Sequence, residues 1–284
     1  MSDHPLHDLE EAITIDVTRA LAEDVGAGDL TASLVPAQAR AKARLLTRQS
    51  GVLCGTAWFD RTLEELDPDA EIFWHHRDGD LVVANSSLCE LDGNARAVLT
   101  AERTAINFVQ LLSGVATRTR QFVEAVKDTR AKILDTRKTL PGLRMAQKYA
   151  VRMGGGVNHR IGLYDGILIK ENHIAAAGGI EAALKAAFRL APPGGMVQVE
   201  VESLDQLRTA LGAGARLVLL DNFELAQMRE AVAIAGDRAE LEASGGVSLE
   251  SVHAIAATGV HRISIGSLTK DVNALDLSLR FLSH

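Results

Sequence analysis

The chain has 284 residues, of which 47% are hydrophobic and 24% charged, and its formal net charge is −7. These are the proportions of a soluble globular protein, long enough for two domains or for one barrel with an addition. They exclude a membrane-spanning chain, because no apolar run approaches the ~20 residues a bilayer requires, and the acidic balance argues against general nucleic-acid or membrane-surface partners.

The opening stretch MSDHPLHDLEE is acidic and lacks the charged start and apolar core of a signal peptide. Cys54 and Cys89 are too few and too isolated for a disulfide framework or a zinc site, so a reducing, cytoplasmic setting is expected. A helical pattern runs from Asp8 to Glu23, followed by a Gly/Asp loop from Val25 to Thr31. Strand-like runs come next, with Asp78-Gly79-Asp80 and Asp92-Gly93-Asn94 both reading as tight turns. A long helical pattern then covers about Ala101 to Lys127, with an interruption predicted near Ser113-Gly114.

After that the chain changes character. Short apolar runs recur at Ala131–Leu134, Gly166–Ile169, Val197–Val201, Leu217–Leu220, Ala239–Leu241 and Arg262–Ile265, each followed by polar residues and a helical stretch. This is the rhythm of βα units, in which a parallel sheet closes into a barrel or stays open and doubly wound. The strand ends favour the barrel. Asp135, Arg137 and Lys138 follow the first run, Lys170 the second, Glu200 and Glu202 the third, Asp221 the fourth, Glu242 and Ser244 the fifth, and Gly266 the sixth. Barrels build their sites from many carboxyl-terminal strand ends, whereas an open sheet offers a single crevice.

Between Arg137 and Lys170 lie seven Lys or Arg residues and His159, against one acid, Asp165. A cationic island in an acidic chain predicts a small polyanionic ligand. In Val197–Glu202 the strict alternation sends the valines to one face and Gln198, Glu200 and Glu202 to the other. Acids so placed, with Asp221 on the next strand, either hold Mg²⁺ that arrives with a phosphorylated substrate or form ion pairs with the basic patch. Ser244-Gly245-Gly246 before a helix beginning near Ser248 reads as a phosphate cradle, and Gly266 as a second set of donors. Gly154-Gly155-Gly156 is neither a Walker loop nor a dinucleotide fingerprint and is expected to end a helix at Leu143–Met153. Lys170 suits either a Schiff base or a charge clamp.

In order along the chain, the motifs Glu23–Thr31, Glu102–Asn107, Leu112–Thr117, Asp135–Arg144, Lys148–Val151, Gly154–Arg160, Leu168–His173, Glu200–Glu202, Leu220–Phe223, Ser244–Gly246 and Gly266–Thr269 resemble the quinolinate phosphoribosyltransferase family. The resemblance implies an N-terminal α/β open sandwich domain (1–112), an incomplete α/β barrel (113–267), and a C-terminal helix (268–284) returning to the first domain. It implies transfer of phosphoribosyl from phosphoribosyl pyrophosphate (PRPP) to quinolinate with loss of CO₂, giving nicotinate mononucleotide for de novo NAD synthesis. By the same resemblance, Arg103 enters a neighbouring subunit's site in a homodimer or a hexamer of dimers. Arg137, His159, Arg160 and Lys170 bind the pyridine dicarboxylate. Lys138 and Lys170 face the pyrophosphate, Glu200 and Asp221 serve the ribose hydroxyls and the Mg²⁺ shell, and Ser244, Gly245, Gly246 and Gly266 hold the 5′-phosphate. Ser267 and Lys270 depart from the family's usual Gly-Ala-Leu-Thr-His. A molybdenum-linked relative with another acceptor, and a lyase using Lys170, are the rival readings.

Overall fold

A computed structural model describes residues 9–282. The first residues of the acidic opening, Asp8 of the predicted first helix, and residues 283–284 of the C-terminal segment lie outside it. In chain order come α1 (Leu9–Val25), β1 (Arg40–Thr47), β2 (Gly51–Val52), α2 (Thr56–Glu64), β3 (Glu71–Trp74), β4 (Leu81–Val82) and β5 (Ser87–Asn94). Then follow α3 (Ala95–Ala125), β6 (Lys132–Leu134), α4 (Arg144–Met153), β7 (Gly166–Ile169), α5 (Glu171–Ala177), α6 (Ile180–Leu190) and β8 (Met196–Val201). The chain closes with α7 (Leu204–Gly212), β9 (Leu217–Asp221), α8 (Leu225–Ala235), β10 (Glu240–Ser244), α9 (Leu249–Ala256), β11 (Arg262–Ser264), α10 (Ser267–Lys270) and β12 (Leu277–Phe281).

The chain divides into two compact units. One comprises residues 9–120, Thr139–Gly155 and residues 268–282; the other comprises Gln121–Lys138 and Gly156–Ser267. The first is built on an antiparallel sheet in the order β12-β1-β5-β3. Its buried cluster joins Leu45, Leu88 and Leu91 of the sheet to Phe59 and Leu63 of α2 and to Val98, Ala105, Ile106 and Val109 of α3. Each such large side chain withdrawn from water contributes about 1.5–3 kcal/mol, which suffices to hold a sheet whose other face carries pairs such as Arg44–Glu90 at 2.7 Å.

Three features of this unit differ from the sequence reading. Asp92-Gly93-Asn94 is the end of β5, paired with Ala41 and Arg40 of β1, not a turn. Asn94 caps α3 instead, its Oδ1 accepting from the amides of Arg96 and Ala97. The helix α3 runs unbroken through Ser113-Gly114. Ser113 is used to accept from the Cys54 amide, and Gly114 because any Cβ would collide with the Asn273 carbonyl. Finally, the segment expected as a C-terminal helix has only the four-residue α10 and then β12, which pairs antiparallel with β1 from Leu277 to Phe281. Alternation of Leu277, Leu279 and Phe281 is a strand period that the helical expectation overlooked.

The second unit is a parallel sheet in the order β6-β11-β10-β9-β8-β7, with helices between successive strands from β7 to β11. Six strands wound in sequence, with β6 and β7 at the two edges, make an incomplete α/β barrel. All six predicted runs are strands, and Gly166–Ile169 coincides with β7. The fifth strand extends further than its apolar run, to Ser244, which places Glu242 mid-strand rather than at an end. Among the described residues no helix is long and apolar enough to cross a membrane.

Candidate active site

The site in the barrel unit is assembled from the carboxyl ends of its strands. β6 delivers Asp135, which is fully buried. Its two carboxylate oxygens are used on the next part of the chain: Oδ1 accepts from the His159 amide at 2.8 Å and Oδ2 from Asn158 Nδ2 at 2.6 Å. This bracket fixes the Asn158-His159-Arg160 segment beside the end of β6. The single acid of the cationic island, Asp165, is structural as well. It closes its own loop by accepting from the amides of Ile161 and Gly162.

Arg160 lies against β7, with Nη1 donating to the Gly166 carbonyl at 2.9 Å. Its pKa is pulled below the ordinary guanidinium value, first by removal from water and then by the nearby Arg137 charge. Two guanidiniums held within electrostatic reach of each other are unfavourable alone and become favourable around a bound anion. Lys170, at the mouth of the barrel and half exposed, brings Nζ to 3.3 Å from Glu200 Oε2. Glu200 therefore makes an ion pair with the basic patch. The carboxyl of Glu202 is pushed upward by partial loss of solvent, by Glu171, and then by Asp221 and Glu200. Glu202, just past β8, thus lies within electrostatic reach of Glu171, Asp221 and Glu200. Among the described residues no group of three or more His, Cys, Asp or Glu side chains is arranged to hold a metal ion by itself.

The other side of the mouth is glycine-lined. Gly245 and Gly246 have φ of +109° and +58°, a region open to glycine. A Cβ on Gly245 would run into Asn222 Oδ1, and Asn222 itself sits at φ +54° with its amide donating to the Ser244 carbonyl at 3.0 Å. The loops after β9 and β10 therefore interlock, and Asn222 Nδ2 donates to Asp221 Oδ2 at 3.1 Å. Helix α9 begins just beyond, capped by Ser248, whose Oγ accepts from the Ser251 amide. After β11, Gly266 lies under the aliphatic stem of Lys138: a Cβ there would be 2.9 Å from Lys138 Cδ. Exposed amides, glycines and a helix start are the parts from which phosphate sites are made.

Of the predicted residues, Arg137, Lys138, His159, Arg160, Lys170, Glu200, Asp221, Ser244, Gly245, Gly246 and Gly266 all belong to this unit. Arg103 is an exposed residue of α3 in the other unit. Sequence reasoning named Asp135, Gln198 and Glu242, all buried, as strand-end or inward-facing residues but gave them no supporting role, and it gave none to the half-buried Asn158. The available signal was polar residues at inward positions of otherwise apolar strands.

Fold and site define a barrel enzyme that handles a multiply charged, phosphorylated substrate. Its C-terminal part matches the model of the quinolinate phosphoribosyl transferase C-terminal domain over residues 115–280, and residues 29–113 match that of the N-terminal domain. A probable nicotinate-nucleotide pyrophosphorylase [carboxylating] of Bacillus subtilis is 44% identical over 90% of this chain and 89% of its own. The corresponding Mycobacterium leprae protein is 44% identical over 93% and 95%. The solved nicotinate-nucleotide pyrophosphorylase of Francisella tularensis superposes with a TM-score of 0.93 at 47% identity, covering 96% of both chains. The chain belongs to the quinolinate phosphoribosyl transferase family.

Proposed function

We propose that this protein transfers the phosphoribosyl group of PRPP to quinolinate and releases pyrophosphate and CO₂, forming nicotinate mononucleotide for de novo NAD synthesis. What supports the reading is that the carboxyl-terminal strand ends of one barrel carry both cations (Arg137 near Arg160, and Lys170 paired with Glu200) and the glycine turn at Ser244–Gly246. A dicarboxylate needs the first and a sugar phosphate the second.

The residue roles follow from charge and position. Arg137, Arg160 and Lys170, with His159 in the wall, receive the two carboxylates of quinolinate. Ser244, Gly245, Gly246 and Gly266 hold the 5′-phosphate, and Lys138 and Lys170 face the pyrophosphate. The pyridine nitrogen is the nucleophile and attacks C1 of the ribose as the C1–O bond to pyrophosphate breaks; the electron pair of that bond leaves with pyrophosphate. Glu200 and Asp221 stabilise the positive charge that develops on the ribose, while the lysines neutralise the departing anion. As the 2-carboxylate then departs as CO₂, the electron pair of that bond stays on C2, stabilised by the adjacent cationic pyridinium nitrogen, and takes up a proton there. Holding the two anions in register supplies up to about 7–11 kcal/mol of the barrier reduction.

Mg²⁺ fits this site as a cation carried in on the substrate. Glu200 and Asp221 would touch it, directly or through water, and it would offset phosphate charge. One or two carboxylates completed by substrate oxygens are enough for such an ion. Arg103 would be supplied by a second subunit of a homodimer, and the reaction would take place in the cytoplasm, a setting that suits two buried, unpaired cysteines.

An end-point assay with quinolinate, PRPP and Mg²⁺, with nicotinate as the parallel acceptor, tests the proposal. Turnover of quinolinate alone is expected. Turnover of nicotinate, or of neither, would move the protein to a relative with a different acceptor.

A further inference from the structure

We infer that Gln198 and Glu242 are positioning residues that determine which ring nitrogen of His159 carries its proton. They thereby hold the His159-Arg160 edge of the pocket. The kinetic part of the test rests on the quinolinate reading above; the geometry does not.

Three side chains form a chain through the interior of the barrel. His159 Nε2 lies 2.9 Å from Gln198 Oε1, and Gln198 Nε2 donates to Glu242 Oε2 at 3.0 Å. Gln198 and Glu242 are each 1% exposed. At the near end, His159 Nδ1 accepts from the Arg160 amide at 2.8 Å. Each end of this chain allows one direction only. A backbone N–H can only donate, so Nδ1 must be bare and the imidazole proton must sit on Nε2. That proton needs an acceptor, so Gln198 presents its carbonyl to the ring and its NH₂ to position 242. At the far end Glu242 Oε2 accepts from Gln198 Nε2, which is the end the relay requires. Donor and acceptor ends agree, and the amide orientation of Gln198 and the tautomer of His159 are set together.

The arrangement has a cost. Glu242 Oε1 is buried with no hydrogen-bond partner among the described residues. An apolar side chain would fill the same space without that penalty. What the carboxylate supplies is direction. With an amide at position 242 either polarity becomes available: reversed, Gln198 would donate to Nε2, the ring proton would move to Nδ1, and it would face the Arg160 N–H. The Arg160 amide would then be pushed away, and with it the guanidinium anchored at Gly166. The Asp135 bracket holds the same segment from its backbone side. The carboxylate relay and this bracket together confine one edge of the site.

The experiment combines histidine ¹⁵N NMR with steady-state kinetics on the full-length protein. The spectra are taken on wild type, Gln198→Met/Glu242→Met and Glu242→Gln, with the His159 signals identified by their loss in His159→Gln. Wild-type His159 is expected as the Nε2–H tautomer. The double methionine variant, similar in volume, is expected to retain its melting temperature within a few degrees. Its KM for quinolinate should rise about tenfold or more, with KM for PRPP within about twofold. Glu242→Gln, which leaves the shape intact, should give mixed tautomers and a rise of a few fold. A His159 proton found on Nδ1 in the wild type would overturn the inference. So would an unchanged quinolinate KM in either variant with its melting preserved. If wild type fails to use quinolinate at all, the functional reading falls, while the tautomer measurement still decides the relay.

Discussion

Replacing Asp135 probes the bracket that joins β6 to the His159-Arg160 segment. In Asp135→Ala two donors lose their acceptor: the His159 amide, bonded at 2.8 Å, and Asn158 Nδ2, at 2.6 Å. Asp135 itself is 0% exposed, and its two donors are partly buried. A buried donor left unsatisfied costs about 1–3 kcal/mol, and bonds to a charged partner lie toward the upper end. Two such losses amount to roughly 3–5 kcal/mol, or a fall in melting temperature of roughly 5–8 °C for a chain of this size. Asp135→Asn should cost less, about 1–2 kcal/mol. An amide at position 135 still offers one oxygen to the His159 N–H, and Asn158 can turn its own amide to present a carbonyl. Urea unfolding and thermal melts should therefore rank wild type above Asp135→Asn and Asp135→Asn well above Asp135→Ala. Quinolinate KM should worsen in the same order, because Arg160 follows the segment. An alanine variant within about 1 kcal/mol of wild type, or equal losses in the two variants, would refute the bracket.

Lys170→Ala breaks the pair with Glu200, but Lys170 is half exposed, so stability should move by less than about 1 kcal/mol. Its kcat/KM should nonetheless fall by roughly a hundredfold or more; unchanged turnover would remove Lys170 from the machinery. Mixing Arg103→Ala with Lys170→Ala subunits should restore part of the activity if Arg103 is supplied across a subunit interface, and activity in the mixture no higher than in its parts would count against that role. The Asp60 carboxyl is pushed up from 3.8 to about 6, chiefly by burial, with Asp78 and Glu64 adding to the effect against the Trp74 hydrogen bond. Its folded pKa being the higher, the native state holds a proton that the unfolded chain has released between about pH 4 and 6. Stability therefore drops as pH rises through that window, by at most about 3 kcal/mol from this group. Urea melts of wild type and Asp60→Asn from pH 4 to 8 should show wild type losing ground to the variant as pH rises; parallel curves would contradict the assignment.

Much of the barrel could be read from sequence because each of its strands is a local event. An apolar run of four to six residues followed by a polar strand end carries its own signal, and β7 at Gly166–Ile169 needed nothing from elsewhere in the chain. The misreadings fall where a distant partner outweighs local preference. Asp92-Gly93-Asn94 has turn composition, yet Ala41 and Arg40, some fifty residues away, hold it as a strand. Gly114 reads as a break in α3, although it is there to make room for the Asn273 carbonyl. β12 forms on the edge offered by β1, more than two hundred residues earlier. Long-range pairing of this kind leaves no trace in a short window.

Within the site the same division separates the residues that meet substrate from those that hold them. Arg137, Lys138 and Lys170 stand out because cations at strand ends have no structural reason to cluster. Gln198 and Glu242 read from sequence only as an inward-facing residue and a strand end, with nothing to join them. Their meaning appears only when β8 and β10, separated by β9 in the sheet, bring them within 3.0 Å of each other. Inward positions on alternate strands of a barrel share a layer, so a polar residue at such a position commits the chain to a partner two strands away. Here the partners form a one-way hydrogen-bonded line ending at the Arg160 amide. An interior chosen only for packing would have left the orientation of that arginine to its side-chain contact with Gly166 and to the bracket from Asp135.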